Sequence, residues 1–185
     1  MVSTRGDPLP ASTVIPLLSA ERAALVHRRN ASPLQSLWQA LDAVKDPEIP
    51  AVSLWDLGIL QDILTTESGV TVVITPTYSG CPAMETIAED IRTCLSAQGI
   101  SKVNVQTRLS PAWSTDWLDQ NARTALRAYG IAPPAPTGKA SDTKVDCPHC
   151  GSKRTTLISE FGSTACKALY RCEDCSEPFD YFKPI

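Results

Sequence analysis

Apolar residues recur along this chain in two rhythms, and each rhythm predicts an element. Leu34, Leu37, Trp38, Leu41 and Val44 fall at helical spacing and line one face of a helix. Ser32-Pro33 opens it: Ser32 and Gln35 form a capping-box pattern, and Pro33 suits the first helical position. Pro47 stops it, because the residue before a proline avoids the helical region. The segment DPEIPAVSLWDLGIL, residues 46–60, then reads as a proline-bounded loop leading into a strand near 59–64. Glu67-Ser68-Gly69 is a turn, and a second strand follows with Val70, Val72 and Ile74 on one face. These two strands are expected to pair as an antiparallel hairpin.

From Pro82 the period becomes helical again. Met84, Ile87, Ala88, Ile91, Cys94 and Leu95 share a face, and Gly99 supplies the stop. KVNVQTRL alternates Val103, Val105, Thr107 and Leu109, as a half-buried strand does. Ser114 or Thr115 caps a last helix carrying Trp117, Leu118, Ala122, Ala125, Leu126 and Tyr129, closed by Gly130. The pattern predicts an α+β fold, a two-layer α/β sandwich of order α-β-β-α-β-α over residues 32–132. Ahead of it, residues 1–31 read as a Pro-, Ser- and Ala-rich arm, partly disordered, with a short helix from Pro16 to Arg29. Behind it, 133–144 is a Pro-rich linker and 145–185 a small separate module.

Composition narrows the class. The chain has 185 residues, 43% hydrophobic and 20% charged, with mean hydropathy −0.09, the profile of a globular protein. No stretch reaches the roughly 18 apolar residues of a membrane helix, and the first residues lack a basic, then apolar leader; the cytoplasm is the expected compartment, with no membrane partner. Net charge is −3, distributed as +2 over residues 1–31, −5 over 32–136 and 0 over 137–185. Neither globular part has the cationic excess that binding a phosphate backbone demands, which argues against a nucleic-acid partner.

Seven cysteines in a reducing compartment point to metal ligands or reactive thiols rather than disulfides. Cys147 and Cys150 form one C-x-x-C, Cys172 and Cys175 another, with 21 residues between them. Each such turn aims two thiolates at one ion, and four thiolates close a tetrahedral sphere, leaving no position for catalytic water. The module is too small to fold on apolar burial alone, so the metal is expected to hold it. Structural zinc is the reading; an iron–sulfur cluster also takes four thiolates. His149 reads as a turn residue. Cys166 reads as a small buried residue, or else as an alternative ligand.

Cys81, between Gly80 and Pro82 at a helix start, is the candidate reactive thiol. Unpaired N–H groups and the helix dipole are expected to stabilise its thiolate, and Thr75, Thr77, Tyr78 and Ser79 place hydroxyls nearby. Taken alone, a lone cysteine is more often packing, a role Cys94 fits. Asp46, Glu48 and Asp56 taken alone are turn and cap chemistry.

The motifs DPEIPAVSLWDLGIL and TPTYSGCPA together resemble those of a family of small metal–sulfur (iron–sulfur) cluster assembly proteins. With SPAWSTDWL, YGIAPP and the tail from CPHCGS to FDYFKPI, residues 33–185 are similar to the PaaD-type branch, which belongs to the phenylacetyl-CoA epoxidase system of phenylacetate degradation. The resemblance implies a domain in which the Cys81 loop and the 46–50 loop converge. It also implies a role in supplying or maturing metal centres of the oxygenase that epoxidises the phenylacetyl-CoA ring. Cys81 is then the reactive thiol or the iron or cluster ligand, with Asp46, Glu48, Asp56 and Thr75 in the motifs around it. The family's terminal cysteine is replaced here by Pro184, so no ligand can come from that position.

The chain carries no Glu-x-x-His pair for a di-iron site; His27 and His149 are its only histidines. GSKRTT lacks the strand and first glycine of a phosphate loop. The expectation is therefore an accessory protein, not an enzyme. It would bind iron or an iron–sulfur cluster transiently at Cys81, alongside structural zinc, with a second protomer of a homodimer or a partner completing the ligands. Its partners would be the oxygenase and reductase subunits. The alternatives are a scaffold component with Cys81 buried, and, last, a thiol redox enzyme.

Overall fold

A computed structural model describes residues 19–67, 69–135 and 144–185. Part of the predicted arm, residue 68 of the turn and most of the linker lie outside the described residues. The second half of the arm is a docked helix, α1 (Ala20–Ala31). The Ser19 hydroxyl caps it by accepting from Arg22 N at 3.1 Å, while Glu21 and the Arg28-Arg29 pair sit at the ends the helix dipole favours. Its buried stripe is Arg22 and Leu25. Trp55 lies between two guanidinium groups, Arg22 at 4.2 Å and Arg29 at 4.5 Å from its ring centre, and Trp38 meets it edge-on at 5.5 Å. Arg29 also holds Asp42 through two hydrogen bonds of 2.8 and 2.6 Å, tying α1 to α2 (Gln35–Leu41). The predicted capping box takes another form: Ser32 Oγ accepts from Leu34 N, and the Gln35 amide donates back to the Ser32 and Arg29 carbonyls.

The hairpin forms as predicted. β1 (Leu60–Thr66) runs antiparallel to β2 (Gly69–Ile74), with Ile63 opposite Val72. Helix α3 (Met84–Ala97) crosses over to β3 (Val103–Thr107), which pairs with β2 in parallel and places Val72 beside Val105. The sheet order is β1-β2-β3. Ile87, Ile91 and Leu95 of α3 are fully buried in a core with Trp38, Leu41, Val72 and Ile74, each such side chain contributing about 1.5–3 kcal/mol of burial. The predicted last helix is split. Ser114 caps a single 3-10 turn over Thr115–Trp117, and Asp119, accepting from Ala122 N at 2.8 Å, caps α4 (Gln120–Ala128).

The larger departure from the sequence reading is at the C-terminal module. β5 (Thr155–Ser159), β6 (Lys167–Cys172) and β7 (Pro178–Phe182) form an antiparallel sheet, and β4 (Ile131–Ala132) adds to it in parallel beside β7. Residues from before the linker thus complete the sheet that follows it. Phe182 and Cys166 enter the main core, Phe182 packing on Trp113 at 5.9 Å. The carbonyl of Ile185 accepts from Thr115 N and the Ser114 hydroxyl, both at 3.2 Å. At Gly130, φ is +88°, and an added Cβ would stand 3.2 Å from His149; the histidine packs there, as a turn residue. A second small cluster, Ala132, Cys147, Cys172 and Phe179, fills the module itself.

Candidate functional site: two sulfur centres

The C-terminal centre is built from local structure. Two tight turns carry Cys147, Cys150, Cys172 and Cys175, whose sulfur atoms all lie within 4.8 Å of one another. Cys147 Sγ is 3.8 Å from Cys175 Sγ, and Cys150 Sγ is 3.5 Å from Cys172 Sγ. A tetrahedron of four sulfurs about 2.3 Å from a central ion has edges of about 3.8 Å, so the donor set fits a four-thiolate metal. Cys147 Sγ and Cys172 Sγ belong to fully buried residues, and Cys175 N donates to Cys172 Sγ at 3.5 Å. Asp174 accepts from both Ser152 and Arg154, bracing one turn against the other. Four thiolates so placed could close the coordination sphere of one ion.

The second centre is assembled across the fold. Cys81, Asp46, Glu48 and Cys166 line one small cavity, walled by Ile49, Leu57, Ile59, Met84, Ile87 and Phe182 among others. Its free volume of about 10 Å³ suits a single guest the size of a water molecule or an ion. Asp46 is fixed by an Asx turn, Oδ1 accepting from Glu48 N and Ile49 N, both at 2.9 Å. Cys81 is held by its own N–H, which donates to the Tyr78 carbonyl at 3.2 Å.

The sequence expectation of an ionised Cys81 is not met. Helix α3 begins at Met84, with Ala83 at its cap, so Cys81 stands short of the dipole's strong end. Burial pushes its thiol above the ordinary range; the Ala83 N–H works against this, and Glu48, Asp46 and Cys166 add to it. Burial likewise raises Asp46 against two backbone donors and the charge of Lys167, and raises Glu48 with help from Asp46. Cys166 is raised by burial too, against the Thr164 hydroxyl and Lys167. Burial thus disfavours the charged form of all four acidic groups facing this apolar hollow. Cys81 is nevertheless partly exposed, open to a visitor.

The other predicted residues stand apart from that cavity. Asp56 lines a different hollow of about 540 Å³, with Arg22, Arg29, Trp55 and Asp119. Thr75 is buried beside β1, its N–H donating to Ile59 O at 2.9 Å and its hydroxyl without a hydrogen-bond partner among the described residues. Cys94 donates to Ala40 O at 3.3 Å, a packing role. Cys166 is the residue that sequence reasoning left as packing; it lies 85 positions beyond Cys81, and only the docking of β6 and β7 brings it in.

The chain thus joins a four-cysteine ribbon to an α+β domain with a thiol–carboxylate pocket. Residues 34–107 match the family described as iron–sulfur cluster assembly protein, and residues 132–183 the PaaD zinc beta ribbon domain. The chain is 49% identical to an Escherichia coli K12 protein named as a component of a 1,2-phenylacetyl-CoA epoxidase, over 82% of this chain and 93% of that one. It is 34% identical to an Fe-S protein maturation auxiliary factor of Porphyromonas gingivalis, over 50% of this chain and 89% of the other. A crystallised Bacillus anthracis domain of unknown function superposes with a TM-score of 0.46 at 27% identity, covering 56% of this chain and 95% of that domain. The chain belongs to the PaaD family of the phenylacetyl-CoA epoxidase system.

Proposed function

We propose that this protein is an accessory maturation factor of the oxygenase that epoxidises the ring of phenylacetyl-CoA, handling iron or an iron–sulfur cluster at Cys81. The observation that carries the reading is the convergence of Cys81, Asp46 and Glu48 on one small cavity. Thiolate and carboxylate donors together suit a divalent transition ion, and a cation is the guest that turns mutual repulsion among these groups into attraction. The relatives named for the epoxidase and for Fe-S maturation support the same assignment. A thiol whose pKa burial raises supplies less of the nucleophilic thiolate, which weighs against the redox-enzyme reading.

In the ribbon, the donor set favours zinc as the resident ion: it would hold the two turns together and supply no reactive position. No helix among the described residues is long and apolar enough to cross a membrane, and we place the protein's work in the cytoplasm with the oxygenase and reductase subunits. A scaffold role draws on one feature. β5 is an outer strand of its sheet, and Leu157, Ile158 and Phe161 beside it are exposed, a surface suited to docking those subunits.

The test is anaerobic reconstitution with iron and sulfide of wild type and Cys81→Ser, paired with epoxidase activity in cells carrying each. The variant is expected to lose the iron retained by wild type and to leave the oxygenase poorly active. Equal iron binding and full epoxidase activity in the variant would contradict the proposal and leave the scaffold role.

A further inference from the structure

The cavity holding Cys81 has a second sulfur in its wall, and that sulfur is presented with more care than packing alone requires. Cys166 is 6% exposed and sits just ahead of β6. Its carbonyl accepts from Lys183 N at 2.9 Å, its Sγ lies 3.0 Å from the Thr164 hydroxyl, and the turn before it closes through Lys167 N to Thr164 O at 3.1 Å. The backbone is therefore pinned on both sides, and a side-chain partner sets the direction of the thiol. Lys167, 4% exposed, is anchored to Asp180 at 3.4 Å. All of this hangs on the β6–β7 ladder, which the four-cysteine centre closes at its other end: Cys172 ends β6, and Cys172 N donates to Glu177 O at 3.0 Å.

We propose that Cys166 is the second thiol ligand of the Cys81 site, carried into it by the ribbon, and that Glu48 is the adjacent carboxylate donor for a single divalent thiophilic ion. This deepens the iron-handling reading and rests on it. The ribbon then acts as a ligand arm: its resident metal folds the ladder, and the ladder holds Cys166 against the cavity. A single chain supplies two sulfurs and a carboxylate, so a second protomer is not needed to begin coordination. Among the described residues only the four ribbon cysteines form a group of three or more donors already within 4.8 Å. The cavity donors are farther apart and would have to draw together around an ion.

Cobalt(II) reports thiolate ligands by an ultraviolet charge-transfer band whose intensity scales with the number of sulfurs bound. Full-length protein, with its ribbon zinc-loaded and its zinc content verified, is titrated anaerobically with cobalt. Wild type is expected to take one further equivalent with a two-sulfur band; Cys166→Ser is expected to keep its zinc and show about half the intensity and weaker binding. Cys81→Ser should behave similarly, and the double variant should show no band. A wild-type band in Cys166→Ser alongside its loss in Cys81→Ser would overturn the inference and leave the Cys81 reading standing. A wild-type band in Cys81→Ser would overturn both. Should Cys166→Ser lose its zinc, cobalt-edge X-ray absorption on wild type decides: two sulfur scatterers support the inference, and one refutes it.

Discussion

The molecule has two sulfur centres that differ in how they are made. In the ribbon, four cysteines come from two short turns, their sulfurs already at the edge lengths of a tetrahedron. At the cavity, groups come from the 46–48 loop, the turn ahead of α3 and the far side of the C-terminal module, held by packing and backbone hydrogen bonds rather than by one another. The first centre supplies four thiols that could close one tetrahedral sphere; the second is small, partly open and lined by groups whose pKa burial raises. On the proposed function the contrast is a division of labour: a site meant to keep its ion is built from local sequence, and one meant to exchange it is assembled by the fold.

Disrupting the closed centre is expected to give the largest effect. Cys172→Ala removes a ligand and, with it, metal-binding energy that reaches on the order of 10 kcal/mol in small zinc-folded modules. Because β7 carries Phe182 into the main core, the damage is expected to spread beyond residues 144–185. Zinc content, far-ultraviolet dichroism and limited proteolysis should show loss of the ion and early cleavage in the ribbon. A ribbon that stayed folded without metal would remove the distinction between the two centres.

A smaller effect concerns the open centre. Asp46 has its pKa raised in the folded protein, and a raised carboxyl contributes stability that is present below its unfolded pKa and lost as pH rises through the folded one. Asp46→Asn keeps an oxygen to accept from Glu48 N and Ile49 N and cannot ionise. The variant is expected to be more stable than wild type near pH 7, by on the order of 1 kcal/mol or less. The gain should shrink towards zero as the pH falls below the ordinary carboxylate value, and the variant should bind the second metal less well. Urea denaturation at several pH values checks the sign; a variant less stable at neutral pH would contradict it.

How far the sequence revealed this contrast follows from distance along the chain. The β1–β2 hairpin, α3 and β3 were legible because apolar periodicity is local, and the ribbon centre because each C-x-x-C is local. The break between Trp117 and Gln120 was not, since Asp119 as a cap competes with an otherwise continuous apolar stripe. The pairing of β4 with β7 joins residues about 50 apart in parallel, and nothing in either segment encodes the other. Cys166 was invisible as a cavity residue for the same reason. The thiol of Cys81 was misjudged because a sequence shows a helix start but neither the burial the fold imposes there nor that α3 begins only at Met84. Asp56 shares a motif with Asp46 and Glu48, yet its chain direction takes it to the Arg22–Trp55 hollow instead.

That one centre is permanent and the other exchangeable can be decided by chelator challenge of the protein loaded with zinc in the ribbon and cobalt in the cavity. The expected course has two phases: rapid loss of the cobalt charge-transfer band, absent in Cys81→Ser, and a much slower release of zinc that is unchanged in that variant. A single phase in which both ions leave together, or a cobalt band as slow to decay as the zinc, would contradict it.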